Sequence, residues 1–386
     1  MVCSCIEGFG SSWWPPAAGP WKRGGAEPWW LWVYRAADLG GLGGWCGLIF
    51  LLVFVVLCVD ELFELVSLLA AVGDRAAEAP PPSGGWVELA EGWCDFYEVK
   101  WESSPPPGDV HGLDSHSVVV EFEGVSVIVT TGALVGRCSA FVPGVSASWL
   151  GVRLNFRGGG DLLGGSRLYY RSRFLDRVFD VDFDLEAARD EVRYHVEEVL
   201  ARAWDGGGVL LIDGPLFRAL DVLRRGGAYA FLYSEVYRRR FELLRGRRVV
   251  GVVKRVDQSA YLARCVGVGS DDEVAARRLL EGRPGFVGPV VVKWGDLVKY
   301  MYYVGVPSAK GVRVLRVEAF DPSLAREAAT WLGSLADHVG VPVPISAADR
   351  LARRLNAAAV RLLYSASPVE PTYRGLEAVA AAAREL

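Results

Sequence analysis

The sequence lacks any excess of basic charge. Its 386 residues include 42 Lys and Arg against 46 Asp and Glu, which gives a net charge of −4 and a pI near 5.8. This balance excludes a protein whose whole surface attracts nucleic acid, because such attraction requires a broad positive field. A nucleic-acid site would have to be a local groove, lined for example by Arg153, Arg157, Arg171, Arg173 and Arg255.

Signatures of zinc and nucleotide binding are also missing. The seven cysteines include no C-x-x-C pair, and Cys3-Ser-Cys5 is too closely spaced for an ordinary zinc knuckle. The four histidines do not have the spacing of metal ligands. We therefore expect reduced thiols and no zinc site. The glycines at 158–160 match neither a P-loop nor a dinucleotide fingerprint, so ATP hydrolysis would have to belong to a partner.

Charge is scarce in residues 1–59. This stretch has only six charged side chains but half of the fourteen tryptophans, and Leu39 to Val59 is free of charge. By its length the uncharged segment is a transmembrane candidate. Basic residues precede it and acidic residues follow it, so a single span would place residues 60–386 outside the cell. A start site assigned too far upstream, a membrane anchor and some other role all stay open. We expect a cytoplasmic protein without a membrane partner.

The composition becomes ordinary from residue 60. Asp60–Ala71 has apolar residues at helical spacing, and a Pro/Gly linker follows at 80–85. Residues 86–386 then form the main domain, with a predicted hairpin at 117–131 and a predicted helix at Leu185–Ala203. Later strands alternate with predicted helices at 217–223 and about 233–245, and the C-terminal part is predicted to be helical at about 323–339 and 347–364. This order favours an α/β protein with an RNase H-like mixed β-sheet flanked by helices.

Two aspartates lie at the ends of predicted strands of this sheet. Asp213 ends the apolar run Val209–Ile212, which is typical of a strand covered on both faces. Asp114 stands at the start of the hairpin. Open α/β sheets bind ligands at the carboxyl ends of their strands. Carboxylate side chains at such ends offer the oxygen ligands that Mg²⁺ and Mn²⁺ prefer. The sequence therefore suggests a divalent-metal site, although both residues could instead serve as turn residues.

Several pieces of the chain form a characteristic series when they are taken in order. They are Leu113–Ser115, the acidic helix, Leu211–Leu216, Val250–Arg255, Arg316–Glu318 and Gly340–Arg350. Over roughly residues 112–356 this series resembles the archaeal NurA nucleases. The resemblance implies a nuclease that depends on Mn²⁺ or Mg²⁺ and acts as a homodimer. It also implies 5′–3′ exonuclease and single-strand endonuclease activity in DNA end resection and double-strand break repair, together with a HerA-type hexameric ATPase.

The resemblance also implies a set of site residues. Asp114 matches the first metal aspartate, with the usual Asp-Gly-Ser shortened to Asp-Ser, and Asp213 matches the second. Lys254 matches a lysine after a buried strand, and Asp349 stands where the family often has a histidine. Glu191 is chosen as the helix glutamate because it borders the apolar face. The expected metal ligands are thus Asp114, Glu191, Asp213 and Asp349, with Lys254 as a further catalytic residue.

Alternatives to these assignments remain. Glu186, Glu197 or Glu198 could replace Glu191, which could also be ordinary exposed surface. Lys254 could be a charged strand end, and Asp349 could cap the N-terminus of a helix. The two departures from the family pattern, at Asp114-Ser115 and at Asp349, leave open a catalytically decayed subunit that binds the ATPase or DNA without cleaving.

Overall fold

The computed structural model describes most of the chain beyond residue 60, namely residues 61–68, 91–93, 97–157, 166, 168–169, 171–218, 226–267, 271–309 and 311–385. Residues 61–68 are helical, within the predicted amphipathic helix. The apolar segment 39–59 and the linker 80–85 lie outside the described residues. Among the described helices, none is both long enough and apolar enough to cross a lipid bilayer.

Eleven strands of the described residues form one mixed sheet. Across the sheet their order is β1-β9-β10-β11-β8-β7-β3-β4-β5, with β2 paired to β9 and β6 paired to β4. The strands are β1 (Glu91–Trp93), β2 (Glu98–Lys100), β3 (Val110–Phe122), β4 (Val125–Val135), β5 (Ala140–Val142), β6 (Leu150–Leu154), β7 (Val209–Asp213), β8 (Val249–Val253), β9 (Gly285–Trp294), β10 (Leu297–Ser308) and β11 (Gly311–Ala319).

Helices cover this sheet and make up the C-terminal part, as predicted. The helices α1 and α6 pack on β3 and β4, and α5 packs on β9, β10 and β11. The described helices are α1 (Leu185–Ala203), α2 (Gly227–Leu244), α3 (Tyr261–Cys265), α4 (Asp272–Leu279), α5 (Pro322–Trp331), α6 (Val343–Ala366) and α7 (Tyr373–Glu385), with a 3₁₀ turn at Leu332–Leu335.

The centre of the sheet is parallel and its flanks are antiparallel. Strand β7 pairs in parallel with β3 on one side and with β8 on the other. The β3–β4 hairpin and the β9–β10–β11 meander continue the sheet in antiparallel fashion. Val209, Leu210 and Leu211 of β7 are fully buried, which explains their uninterrupted apolar run. This arrangement confirms the expected RNase H-like mixed sheet.

Some local expectations need correction. Asp114 lies inside the 13-residue strand β3 rather than at the start of a hairpin. The helix predicted at 217–223 does not include Phe217, which is not helical, and residues 219–223 lie outside the described part. The helix predicted at 323–339 ends at Trp331, where the chain tightens into the 3₁₀ turn. Cys265 is disulfide-bonded, so reduced thiols were wrong for this residue. Sequence spacing cannot show which cysteines meet in space.

Candidate metal centre

Three aspartates from distant parts of the chain meet at the centre of the sheet. Each of Asp114, Asp213 and Asp349 offers a carboxylate oxygen, and these oxygens all lie within 4.8 Å of one another. The first two come from neighbouring parallel strands, whose register pairs Leu113 with Ile212 and so brings the next residue of each strand side by side. Below, "the aspartate triad" denotes these three residues.

The close approach of α6 to β3 brings Asp349 to the other two. Gly112 makes the approach possible, because a Cβ there would lie 2.0 Å from the carbonyl oxygen of Pro344. Further along, buried Asn356 donates through Nδ2 to the carbonyl oxygen of Val129 at 2.8 Å. Asp349 lies inside α6, which is capped by Pro342, so the alternative that Asp349 is the helix N-cap is wrong.

Lys254 lies directly against Asp213. The β7–β8 register pairs Asp213 with Val252, and Lys254, two residues further, faces the same side of the sheet. Its Nζ is 2.5 Å from Oδ2 of Asp213. Beyond Asp213 the chain reverses through Gly214, whose φ of +105° is a conformation that other residues rarely adopt. Lys254 therefore places a positive charge beside the triad.

Burial and mutual repulsion shift the pKa values of the three aspartates. Burial, the charge on Asp213 and a hydrogen bond with Asp349 raise the pKa of Asp114 to about 9. Burial likewise raises the pKa of Asp213, although Lys254 opposes the shift. The pKa of Asp349 is lowered, because hydrogen bonds from Arg353 and Asp114 outweigh its partial burial. The geometry thus favours a protonated Asp114 that donates to an ionised Asp349 when no cation is present.

The donor set of the triad suits a hard divalent cation. Its three carboxylates offer oxygen ligands, the kind that Mg²⁺ and Mn²⁺ prefer. The raised pKa values of Asp114 and Asp213 show that negative charge is crowded at the site, and a cation would relieve that crowding. The residues present therefore fit a divalent metal, and Asp114, Asp213 and Asp349 would hold it.

The structure does not bring Glu191 to the triad. Its Oε1 accepts a hydrogen bond of 2.6 Å from the backbone N–H of Arg173, on another side of α1. Glu197, by contrast, accepts a hydrogen bond of 2.6 Å from Ser115, the neighbour of Asp114, and its charge contributes to the raised pKa of Asp114. Six residues along a helix correspond to a rotation of about 120° around its axis, so the two side chains cannot share one direction.

Two arginines surround Glu197. Arg193 donates through Nε to Glu197 Oε1 at 3.1 Å, and Arg240 donates through NH1 to Oε2 at 2.6 Å. These charges, together with Ser115, hold the pKa of Glu197 below its ordinary value despite complete burial. The charge on Arg193 also opposes the raised pKa of Asp213. Sequence reasoning missed this cluster, for which the Arg193–Glu197 spacing of four residues was the available signal.

A buried charged network holds the loop that follows Asp213. Glu318 accepts through Oε2 from the backbone N–H of Leu216 at 2.9 Å and from Lys299 at 2.8 Å. Lys299 also donates to the carbonyl oxygen of Phe217 at 2.8 Å. On its other side Glu318 binds Arg316, which reaches Ser259. The network fixes the backbone N–H of Leu216 and the backbone carbonyl of Phe217, three and four residues after Asp213, and sequence reasoning missed it.

The arginines proposed for a groove have different surroundings. Arg153 donates to the carbonyl oxygen of Phe183, Arg157 pairs with Asp182, and Arg171 pairs with Asp176. Arg173 contacts His195. Arg255 is exposed and directly follows Lys254, the lysine that contacts Asp213 of the triad.

Comparisons with known proteins find similar solved structures. Three similar solved structures are NurA nuclease from Sulfolobus solfataricus (13% identity, 69% of this chain and 88% of that chain, TM-score 0.42), NurA with manganese (11%, 68% and 91%, TM-score 0.40) and endonuclease V from Streptomyces avermitilis (15%, 67% and 86%, TM-score 0.34). The search of curated protein sequences finds no match.

The family comparison is more direct. A model of the NurA domain matches residues 108–354. This range contains the whole triad, Lys254 and the charged clusters around Glu197 and Glu318. The match extends over more than half of the 386 residues. The chain therefore belongs to the NurA family.

Proposed function

We propose that this protein is a metal-dependent DNA nuclease that hydrolyses phosphodiester bonds at the aspartate triad. The observation that carries the proposal is the meeting of three carboxylates within 4.8 Å beside a lysine, inside a NurA domain. The metal is Mn²⁺ or Mg²⁺, because the donors are carboxylate oxygens. When bound, two divalent cations would supply positive charge at the reacting phosphate and lower the pKa of the attacking water.

The residues of the chain have separate tasks in this proposal. Asp114, Asp213 and Asp349 bind the cations, with α6 and the parallel strands fixing their positions. In the metal-free protein Lys254 neutralises Asp213. Once Asp213 binds a cation, the ammonium group can turn to a phosphate oxygen and offset the charge that develops there. Arg193, held by Ser115 and Glu197, keeps a second positive charge near the triad.

The sequence and the structure indicate different glutamates of α1 as the fourth carboxylate of the site. The resemblance led to Glu191, whose Oε1 accepts a hydrogen bond from the backbone N–H of Arg173. Glu197 lies next to Ser115 and is the better candidate by position. We propose that Glu197 acts on the triad through Ser115 and Arg193, with Glu191 supporting the Arg173 loop.

The biological setting is a further part of the proposal. We assign to the protein 5′–3′ exonuclease and single-strand endonuclease activity in DNA end resection and double-strand break repair. Its partners would be DNA, a second copy of the chain and a HerA-type hexameric ATPase, in the cytoplasm. Light scattering of the purified protein, alone and with the ATPase, tests the assembly. A monomer at micromolar concentration that does not bind the ATPase would count against it.

The alternative is a decayed subunit that binds DNA or the ATPase without cleaving. The position of Glu191 away from the triad favours it, and the convergence of the three aspartates opposes it. An assay of purified protein on end-labelled single- and double-stranded DNA, with Mn²⁺, Mg²⁺ or EDTA, separates the two. Cleavage that requires a divalent cation supports the nuclease, whereas DNA binding without cleavage under every condition supports the decayed subunit.

A further inference from the structure

A groove begins at Lys254 and leads away from the triad. It encloses about 610 Å³ and is lined by the segment after β8, by α4, by the β10–β11 turn and by the loop at 338–339. Lys254 lines this groove and also binds Asp213. A polymeric substrate whose reacting group lies at the triad could therefore extend past Lys254 into the groove.

The groove is positively charged in a protein whose net charge is negative. Among the residues that the structure describes, four basic side chains and two carboxylates line the groove, a local balance of +2, whereas the whole chain has a net charge of −4. One carboxylate, Glu273, is already neutralised by Arg277 at 2.8 Å. The charged residues of the groove are Lys254, Arg255, Arg277, Arg313, Asp257 and Glu273.

Two of these arginines are available to an anion. Arg255 is exposed. Arg313 donates through NH1 to the backbone carbonyl oxygen of Val339 at 3.1 Å, which fixes the guanidinium without cancelling its charge. A guanidinium held in this way has further N–H groups for a phosphate oxygen, the acceptor that its planar fork fits best.

The uncharged part of the lining includes both polar and apolar side chains. Val312, Val314 and Val339 contribute to its apolar part, and the side chain of Val339 is exposed. Such a surface can contact a sugar or the face of a base without reading its hydrogen-bonding edge. The volume lies in the range of pockets that enclose a small organic ligand, which suits a short stretch of a single nucleic-acid strand.

We propose that this groove binds the DNA strand on one side of the scissile phosphate, with Arg255 and Arg313 contacting successive phosphates. The proposal rests on the nuclease function proposed above, because it takes the triad as the place of the scissile bond. Binding in the groove would be independent of sequence and sensitive to salt, since its polar contacts are to the backbone.

The binding experiment uses the whole protein in EDTA, so that no cleavage occurs, and a fluorescent single-stranded oligonucleotide at several salt concentrations. We expect the double substitution Arg255→Ala/Arg313→Ala to weaken binding by about tenfold or more. The slope of log K against log salt should become shallower by about 0.7 for each phosphate that the variant no longer neutralises. Arg278→Ala is the matched control, because Arg278 is exposed on the same helix as Arg277 but does not line the groove.

The cleavage experiment compares the oligonucleotide with the p-nitrophenyl ester of thymidine 5′-monophosphate, whose single phosphate cannot lie at the triad and contact the arginines of the groove at the same time. With Mn²⁺ the double variant should lose activity on the oligonucleotide far more than on the ester, and Arg278→Ala should lose neither. Binding and cleavage by the double variant equal to those of Arg278→Ala would overturn the groove. Absence of any cleavage by the wild type would instead refute the nuclease function, while the binding experiment would still decide on the groove.

Discussion

The ammonium group of Lys254 lies 2.5 Å from the carboxylate of Asp213, at the ends of two adjacent parallel strands. A lysine in this position neutralises the carboxylate in the metal-free protein and competes with a cation for it. The same ammonium group can serve the phosphate when a cation is bound. The two roles predict opposite effects of a substitution on metal binding and on cleavage.

Lys254→Met should therefore separate metal affinity from activity. We expect cleavage to fall by about 10²-fold or more, the loss typical of removing one group that stabilises charge in the transition state. Affinity for Mn²⁺ should hold or increase, because Asp213 loses its competitor. Lys293→Met, at an exposed position of β9, is the control and should leave both unchanged. A parallel loss of metal affinity and activity would mean that Lys254 only supports the fold of the site.

Metal addition and removal should change the thermal stability of the protein. Mn²⁺ at about 100 times its Kd should stabilise the wild type by about 2.7 kcal/mol, and EDTA should reverse the effect. Asp114→Asn should abolish most of this shift. Without metal, however, the variant should be at least as stable as the wild type, because the carboxyl it replaces is buried among other carboxylates and has a pKa of about 9. An unaltered Mn²⁺ shift in Asp114→Asn would contradict the assignment of the triad.

The two glutamates of α1 can be distinguished by paired substitutions. Glu191→Gln keeps an oxygen that can accept from the N–H of Arg173, so activity should stay within a few-fold of the wild type. Glu197→Gln removes the carboxylate that pairs with Arg193 and with the largely buried Arg240. It should lower stability by about 3–5 kcal/mol and also reduce the activity of the protein that remains folded. A large loss of activity in Glu191→Gln alone would restore the expectation drawn from the sequence.

The buried network formed by Lys299 and Glu318 should make the free energy of unfolding depend on pH. Burial lowers the pKa of Lys299 to about 8 from its usual 10.5. Between these values the unfolded chain holds a proton that the folded protein has released, so this residue makes the free energy of unfolding rise with pH. Below pH 8 lysine is protonated in both states and the cost of burying its charge is fully present.

The measurement is the difference in free energy of unfolding between wild type and Lys299→Met, followed from pH 7 to pH 10. Above pH 8 the free energy of unfolding of the wild type should rise relative to that of the variant, by up to about 1.4 kcal/mol per pH unit. Lys293→Met should show no such trend, since its side chain is exposed. A difference that is constant over this range would show that Lys299 keeps its proton in the folded protein.

Local sequence patterns predicted the parts of the fold that depend on local interactions. The helix Leu185–Ala203 has the bounds expected from its apolar spacing, and the preceding Asp184 caps it. Asp213 was singled out because it follows a buried apolar run, the place where open α/β sheets bind ligands. These features need no knowledge of distant contacts.

The remaining features depend on contacts between distant parts of the chain. Asp349 reaches the triad only because α6 packs against Gly112, and nothing local at residue 349 indicates this, so its assignment came from the family resemblance. Glu191 and Glu197 are both buried on α1, and periodicity cannot show which of two buried faces meets Asp114. Lys299 and Glu318 occur in ordinary strands and are buried by a loop more than 80 residues away.

The most direct test of the central claim is cleavage of end-labelled DNA by Asp213→Asn, assayed beside the wild type with Mn²⁺, with Mg²⁺ and with EDTA. The substitution keeps the size of the side chain but removes one negative charge from the triad. We predict that the wild type cleaves only with a divalent cation, that Asp213→Asn loses about 10²-fold or more, and that Asp296→Asn, at an exposed turn, behaves as the wild type. Near-normal Mn²⁺-dependent cleavage by folded Asp213→Asn would contradict the account and leave Asp213 a turn residue.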